Sequence, residues 1–330
     1  MKKPIFKALG FTDPHATGKS PRSRKDILFE TLLKKFNNVL EIGQRENVDI
    51  YLCAGDIFDT SDVSNNIARQ IGEALNKFDK PIYCIPGNHD IEYNNLESVP
   101  YTKLGLLAGL GIISLIDYED VILFKKNGIK IQITGSPCTV DINKNKEALI
   151  LSQKQADIAI HMAHAMILKG DSKFGDYVPL NDIMDITKAD ITFSGDFHLG
   201  FPVTWRNNKA FANPGALVRK YNFLEEMNRI PQVLLITVYD DKTFNAEYIP
   251  LDCALPGSEV LDRETLIAQK EYENELKNFS DNLFKKKADT LVQSIEDIIY
   301  LISRDEEIEQ EIIDLTLEYI ENAARTLGWH

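Results

Sequence analysis

Short apolar runs, each followed by a glycine and polar side chains, recur along the first two thirds of the chain. The runs that predict buried strands are 4–12, 49–54, 81–86 and 189–194. Amphipathic segments at about 24–46 and 64–79 follow the first two of these strands and predict helices. The alternation of strands and helices predicts an α/β fold with a doubly wound layer.

Other patterns appear further along the chain. Residues 120–134 contain Asn127-Gly128, a dipeptide typical of the turn of a β-hairpin. Residues 232–250 hold two more strand-like runs, and a charged helical segment is predicted at about 262–327. The apolar stripe of this segment consists of Ile308, Ile312, Leu315 and Tyr319.

Polar side chains with metal-binding chemistry follow four of the predicted strands. In chain order they are Asp13 and His15, Asp56 and Asp59, Asn88, His89 and Asp90, and Asp196 and His198. Carboxyl ends of strands are where open α/β sheets bind ligands. Together these groups supply enough oxygen and nitrogen ligands for two cations about 3.5 to 4 Å apart, the arrangement that serves hydrolysis of phosphate esters.

The spacing of the ligands supports this interpretation. Asp13 and His15 are separated by one residue, so at a strand end both side chains point to the same side and can hold one cation. Asp56 can bridge two metals, and Asn88 offers a neutral oxygen. Each cluster alone is a weak pattern, equally typical of a loop with a hydrogen-bonded carboxylate, but their ordered co-occurrence predicts a metal centre.

In these motifs the chain resembles the calcineurin-like metallophosphoesterase superfamily, over roughly residues 4–250. The sequence Gly-Asp-Ile-Phe-Asp-Thr at 55–60 and the helical tail are most similar to the SbcD-type exonuclease subunit of double-strand-break repair complexes. The resemblance implies an α/β fold: a two-sheet sandwich flanked by helices, with a small capping region and a helical C-terminal tail.

The resemblance also implies a set of ligands. Asp13, His15, Asp56 and His198 would surround one metal, and Asp56, Asn88 and a later histidine the other. Two histidines are candidates for this ligand of the second metal. His164, which ends its strand before a small residue, fits the family pattern better than His161, for which a core or second-layer role is expected.

One position departs from the family. Where SbcD-type proteins have Gly-His-x-His, this chain has Gly195-Asp196-Phe197-His198. Asp196 is still a candidate ligand, and the added negative charge favours Mn²⁺, or Mg²⁺, over softer metals. The substitution leaves the identity and affinity of one metal open.

His89 is the catalytic candidate that the resemblance implies. An imidazole that titrates near neutrality can stabilise the transition state and protonate the leaving oxygen. The alternative is a turn histidine bonded to Asp90. Asp59 and Asp90 are expected to orient ligand histidines or the turn.

Length and composition bound the organisation. At 330 residues the chain exceeds the ~250 to 300 that one core supports, so several modules are expected. The predicted modules are 1–215 (nuclease domain), 216–256 (capping or sheet-completing region) and 257–330 (acidic tail). No apolar stretch approaches the ~20 residues of a membrane span, and a cytoplasmic protein is expected.

Charge is distributed unevenly. The net charge is −13, of which −10 belongs to the residues from Pro256 onward, so the rest is near neutral and can bind a polyanion through local patches. One candidate DNA-binding patch is formed by Lys19, Arg22, Arg24 and Lys25. A solvated loop that leads into a helix explains the same residues equally well.

The ligand clusters predict a two-metal phosphoesterase, and the resemblance implies a DNA exonuclease, with endonuclease activity expected as well, that works on DNA ends with an SbcC-like coiled-coil ATPase. The helical tail would dock that partner, although its stripe also suits packing on its own domain. A homodimer is expected from the resemblance. The alternatives are a phosphodiesterase or phosphatase for small nucleotides, and a non-catalytic scaffold, against which the intact ligand set argues.

Overall fold

The structure, a computed structural model, describes residues 2–170, 175–222, 224–263 and 310–327, together with a few single positions between the last two ranges. The chain divides into two compact units, Met1–Asp262 and Arg263–His330. All candidate ligands and both large sheets belong to the first unit. The three predicted modules stay a prediction.

The first sheet has six strands and carries the first three ligand clusters. Its strands are β1 (Pro4–Phe11), β2 (Ile50–Cys53), β3 (Ile82–Cys84), β4 (Ser114–Leu115), β13 (Gln232–Tyr239) and β14 (Phe244–Pro250). Their order is β14-β13-β1-β2-β3-β4. The pairs from β1 to β4 are parallel, whereas β13 runs antiparallel to both of its neighbours. Residues from the region 216–256 thus complete this sheet.

The second sheet also has six strands and carries His161, His164 and the turn with His198. Its strands are β5 (Ile122–Lys126), β6 (Ile129–Ser136), β7 (Ile158–Ala165), β10 (Ile191–Asp196), β11 (Phe201–Arg206) and β12 (Lys209–Asn213). Their order is β11-β12-β10-β7-β6-β5, with antiparallel pairs at the two edges and parallel pairs in the middle. A separate two-stranded ribbon joins β8 (Ile167–Leu168) and β9 (Val178–Pro179).

Short and long helices flank these sheets. The α-helices of the first unit are α1 (Leu28–Glu46), α2 (Asn65–Leu75), α3 (Lys103–Gly109), α4 (Leu180–Met184), α5 (Leu224–Asn228) and α6 (Gly257–Val260). Three 3₁₀ turns lie at Leu96–Tyr101, Ile142–Lys144 and Lys146–Leu149. The two mixed sheets with flanking helices confirm the predicted α/β sandwich.

Helix α1 begins later than the sequence pattern predicts. Residues 24 and 25 pair with residues 260 and 261, since Lys25 N–H donates to the Val260 carbonyl at 2.9 Å and Arg24 forms a β-bridge with Leu261. This extended pairing excludes a helical backbone before Ile27. Once started, α1 buries Leu28, Leu32 and Phe36 at helical spacing.

The core has three layers. Apolar side chains of both sheets, such as Leu52, Ile160 and Phe193, form the layer between the sheets. The outer face of the first sheet packs on α1 and α2. A third cluster, which includes Leu149 and Ile183, covers the outer face of the second sheet. The two sheets are therefore buried on both faces near their centres, which explains the continuous apolar runs in the sequence.

The hairpin prediction is confirmed. Strands β5 and β6 pair antiparallel around Asn127 and Gly128, whose φ angles of 49° and 83° are those of a tight hairpin turn. Glycine and asparagine adopt such angles at low cost.

The predicted C-terminal helix falls largely outside the described residues. Within the second unit the structure describes one helix, Gln310–Leu327. Of the predicted stripe, Leu315 and Tyr319 are exposed by 54% and 76%, whereas the neighbouring Ile313 is buried. None of the described helices combines the length and apolarity needed to cross a bilayer.

Candidate metal centre

Sheet register brings the clusters together. Phe11 at the end of β1 pairs with Cys53 of β2, and beyond the strands Asp13 N–H and His15 N–H donate to the Gly55 and Asp56 carbonyls at 3.1 and 3.0 Å. In the second sheet Gly195 pairs with His164. The carboxyl ends of β1, β2, β7 and β10 thus meet at one edge of the sandwich.

Four candidate ligands have a left-handed backbone. Asp13, His15, Asp56 and Asp196 have φ angles of 51°, 46°, 54° and 73°. Non-glycine residues seldom adopt this conformation, which costs on the order of 1 to 3 kcal/mol where it is held in place. These residues cluster at one edge of the strands. The costly backbone conformation there is explained by the positions that it gives to the four side chains.

The first group of candidate ligands is compact. Donor atoms of Asp13, His15, Asp56 and His198 all lie within 4.8 Å of one another. The Nε2 atoms of His15 and His198 are 2.9 Å apart, and Asp13 Oδ1 lies 3.9 and 3.8 Å from them. Two imidazole nitrogens and two carboxylates that converge in this way form a donor set suited to a divalent cation.

The Asp56 carboxylate lies between two histidines. Its Oδ1 accepts the His89 backbone N–H at 2.9 Å, and its Oδ2 has no hydrogen-bond partner in the part of the chain that the structure describes. That oxygen lies 3.5 Å from His15 Nε2 and 3.5 Å from His164 Nε2. A buried carboxylate oxygen without a partner is costly, and a bridging position between two cations would satisfy it.

His164 and Asn88 form the second group of candidate ligands. The Nδ1 atom of His164 lies 2.6 Å from the Ala54 carbonyl, which assigns the proton to Nδ1. The Nε2 lone pair then faces Asn88 Oδ1 at 3.0 Å. The nitrogen lone pair and the amide oxygen repel each other at this distance unless a proton or a cation lies beside them. The donor chemistry at both groups therefore fits divalent metal ions.

Burial and charge shift the titration of these groups. Burial raises the pKa of Asp13 to about 7 and lowers the pKa of His15 and of His198. Although burial acts in the opposite direction in each case, the Asp56–His164 pair holds the pKa of Asp56 below and that of His164 above the ordinary value. Cations bound beside Asp56 would favour its charged form in the same direction.

His161 lies on the other face of its strand. Side chains alternate along β7, so His164 points into the layer between the sheets and His161 points away from it. His161 lies 2.8 Å from Thr134 Oγ1 and 3.0 Å from Ser136 Oγ, and burial lowers its pKa to about 4. It contacts none of the candidate ligands through these bonds, and its environment is that of a neutral core histidine.

Asp196 approaches the centre through its backbone. Its N–H lies 3.2 Å from both carboxylate oxygens of Asp13, and burial raises the pKa of its side chain. Its carboxylate is not part of the compact group around His15 and His198 among the described residues. A ligand role for Asp196 stays a prediction.

Asp59 connects three side chains of the centre. Its Oδ1 lies 3.4 Å from His15 Nδ1 and forms a short ion pair with Lys220, while its carbonyl accepts His89 Nδ1–H at 2.6 Å. The neighbouring His15 and Lys220 outweigh burial and hold the pKa of Asp59 below its usual range. The hydrogen-bond partner of the His89 ring is thus Asp59 rather than Asp90.

Asp90 fixes two turns. Its buried carboxylate accepts backbone N–H groups of Ile57, Phe58 and Gly87 at 3.3, 3.0 and 3.1 Å. Burial nevertheless raises its pKa to about 7. Through these bonds Asp90 joins the turn that carries Asp56 to the turn that carries Asn88 and His89.

Lys220 and Tyr221 are the neighbours of the centre that sequence reasoning missed. The Tyr221 ring stacks on His198, with ring centroids 5.9 Å apart. Four successive carbonyls before Lys220 each accept a hydrogen bond from a cationic side chain. These bonds are Arg229 to Ala216, Lys35 to Leu217, Arg229 to Val218 and Arg24 to Arg219. The only sequence signal was the turn at Asn213-Pro214-Gly215.

The predicted DNA-binding patch needs a correction. The Arg24 side chain is buried, bonded to both carboxylate oxygens of Asp26 at 2.8 Å and to the Arg219 carbonyl. Its guanidinium supports the fold and is not presented to a ligand. Lys19, Arg22 and Lys25 are exposed, so a role for them in DNA binding stays a prediction.

The comparison with family models decides the identity. The model of the calcineurin-like phosphoesterases matches residues 6–200, more than half of the chain and all of the metal-centre clusters. The chain belongs to the calcineurin-like phosphoesterase family. As a family member with a candidate dimetal centre it is a metal-dependent phosphoesterase.

Curated relatives show similarity over shorter segments. The DNA double-strand break repair protein Mre11 of Saccharolobus solfataricus is 25% identical over 147 residues, which cover 42% of this chain and 37% of that protein. The 3′,5′-cyclic adenosine monophosphate phosphodiesterase CpdA of Haemophilus influenzae is 33% identical over 93 residues, 28% of this chain and 32% of that protein. The chain thus matches only about a third of the length of either relative.

Among solved structures, a dimetal phosphatase from Danio rerio aligns with 76% of this chain and 100% of its own, at 10% identity and a TM-score of 0.48.

Proposed function

We propose that this protein is a two-metal DNA nuclease of the SbcD type, an exonuclease with endonuclease activity that acts in DNA repair or recombination. The observation that carries the proposal is the convergence of Asp13, His15, Asp56 and His198 beside the Asn88–His164 pair. Two bound divalent cations, with Mn²⁺ favoured and Mg²⁺ as the alternative, would activate water and neutralise phosphate charge. The similarity to Mre11 supports a DNA substrate.

His89 supplies acid chemistry in this proposal. Its Nδ1–H is held by the Asp59 carbonyl at 2.6 Å, and its ring packs edge-on to His15 with centroids 4.7 Å apart. These contacts fix the His89 ring beside His15, one of the candidate metal ligands. A half-buried imidazole in this position can donate a proton to the leaving oxygen of a phosphodiester.

The test is Mn²⁺-dependent release of nucleotides from an end-labelled DNA duplex by the full chain. His89→Ala is expected to lower the rate by about 10²- to 10⁴-fold, the usual contribution of a general acid, while Mn²⁺ binding measured by calorimetry persists. EDTA is expected to abolish release. Release that continues in EDTA would contradict a metal-dependent nuclease.

A second candidate function is hydrolysis of a small nucleotide, which the similarity to CpdA favours. The same centre serves both substrates. Turnover of 3′,5′-cyclic AMP with no release from DNA would select this second function.

Partners form part of the proposal. We infer an SbcC-like coiled-coil ATPase as the partner and a homodimer as the working form. The ATPase partner is tested by adding ATP and a co-purified ATPase, which are expected to stimulate the degradation of DNA. Light scattering at micromolar concentration tests the homodimer, and a monomer there would remove the dimer from the proposal.

A further inference from the structure

A cavity opens directly beside the metal centre. It has a volume of about 380 Å³, within the range of ~300 to 1,000 Å³ typical of small-molecule sites. The described residues that line it are Met166, Asp196, Phe197, His198, Leu199, Tyr221 and Glu226. His198 belongs both to this wall and to the candidate metal ligands, so an occupant of the cavity would lie next to the reacting phosphate.

The wall is aromatic and apolar. The Tyr221 ring lies nearly parallel to the His198 imidazole, at an interplanar angle of 24°, and 45% of Tyr221 is exposed. Phe197 and Leu199 flank His198 on the same turn and are only partly buried. Partly exposed apolar side chains that a fold holds together beside a catalytic centre favour a flat apolar ligand, because its binding removes them from water.

A polar group accompanies this wall. Glu226 is fully buried, and Arg229 binds its Oε2 atom at 2.9 and 3.1 Å. The Oε1 atom has no hydrogen-bond partner within the described segments.

We propose that this cavity binds an unstacked nucleobase of the substrate, with Tyr221 as the residue that recognises it. The proposal rests on the proposed phosphodiesterase function and names its substrate class. A base in the cavity must leave the stack of a duplex, so single strands, frayed ends and free nucleotides are the matching substrates. Base–aromatic stacking tolerates every base, because each has a π-face.

The test compares a nucleotide with the sugar phosphate that lacks its base. Calorimetry measures binding of dAMP and of 2-deoxyribose 5-phosphate to the full-length protein in Mn²⁺. The protein is expected to bind dAMP about 10-fold more tightly, a ratio consistent with stacking on one aromatic residue. Tyr221→Ala is expected to reduce that ratio to about one, Tyr221→Phe to retain it, and Leu199→Ala to reduce it in part.

Tyr101→Ala is the matched control, since Tyr101 is 87% exposed on a 3₁₀ turn and does not line the cavity. An equal affinity for the two ligands, or a ratio that Tyr221→Ala leaves unchanged, would overturn the proposal. Hydrolysis of bis(4-nitrophenyl) phosphate by the same samples reports on the phosphodiesterase function separately. If the wild-type protein does not hydrolyse this compound, the proposed phosphodiesterase function is wrong, whatever the ratio of the two binding affinities.

Two substrates then distinguish the source of the base. An increase of the KM of Tyr221→Ala for a single-stranded oligodeoxynucleotide identifies a polymer, and an increase for 3′,5′-cyclic AMP identifies a mononucleotide. An unchanged KM for both substrates would count against the cavity as a base site.

Discussion

The Asp56 carboxylate is held between two histidines and leaves one oxygen without a hydrogen bond among the described residues. That geometry places Asp56 where a single side chain could contact both metal ions. Its backbone, with φ at 54°, adds a local cost that a metal-binding role would explain.

Asp56→Asn is expected to abolish binding of at least one Mn²⁺ ion, because an amide oxygen carries no charge with which to bridge two cations. Calorimetric titration with Mn²⁺ measures the stoichiometry. Asp252→Asn, at an exposed ion pair with Arg45, is the matched control and is expected to leave the stoichiometry unchanged. Full stoichiometry in Asp56→Asn would show that this carboxylate is not a ligand.

Lys220→Met is expected to weaken Mn²⁺ binding by about 10-fold, within the range for groups that orient metal ligands. The reason is that Lys220 holds Asp59, which in turn contacts His15 and His89. Lys126→Met removes a comparable ion pair with Asp49, at the opposite end of β2, and serves as the control. Unchanged Mn²⁺ affinity in Lys220→Met would limit Lys220 to a structural contact.

His161 makes stability depend on pH. Ser136 donates its hydroxyl proton to the Ala148 carbonyl and therefore accepts from His161 Nε2–H, which leaves Nδ1 to accept from Thr134. This network binds the neutral ring, so the pKa is about 4 in the folded protein against 6.5 for the free side chain. Between these values the unfolded chain binds the extra proton.

The contribution of His161 is therefore fully present above pH 6.5 and is lost as the pH falls toward 4, by up to about 3 kcal/mol. Urea denaturation at several pH values measures the free energy of unfolding. His161→Asn is expected to be less stable at pH 7.5 but to lose less stability on acidification. Equal pH slopes for the two proteins would contradict the assignment.

At the scale of elements, the turns after β2 and β3 are so closely packed that they leave no space for an additional side chain. A Cβ atom on Gly87 would collide with the Asp56 carboxylate and backbone, and one on Gly55 would collide with the His164 ring. Glycine is needed at these two strand ends because the ligand side chains of neighbouring strands occupy the space of a side chain.

Gly87→Ala is expected to displace Asp56 and to lower the rate of phosphodiester hydrolysis by about 10²-fold, since misplacement by about 1 Å has effects of this size. Hydrolysis of bis(4-nitrophenyl) phosphate measures it. Gly109→Ala, at the end of α3 with no atom near the new Cβ, is expected to be neutral or slightly stabilising. Normal activity of Gly87→Ala would show that the turn adjusts freely.

At the scale of the whole molecule, the candidate ligands, the base-sized cavity and both six-stranded sheets belong to the unit Met1–Asp262. A chain that ends at Arg263 is thus expected to hydrolyse bis(4-nitrophenyl) phosphate within about twofold of the full chain, as a compact domain with its own core does. Circular dichroism checks that the shortened chain folds. A folded but inactive product would assign part of the centre to residues 264–330.

The sequence alone determined where the ligand clusters lie and which strands carry them, because buried strands need continuous apolar runs and turns need glycine. It also determined the α/β class and the β5–β6 hairpin. The family pattern of a ligand at the strand end before a small residue favoured His164 over His161, and the alternation of side chains along β7 separates the two histidines physically.

Tertiary structure decided what depends on distant segments. The burial of Arg24 follows from contacts with residues almost two hundred positions away, which no local pattern contains. The Lys220–Asp59 pair and the Tyr221–His198 stack likewise join loops that are separate in the sequence. The sequence determines the residue types and the local periods, whereas strand register and the packing of the two sheets determine which side chains meet.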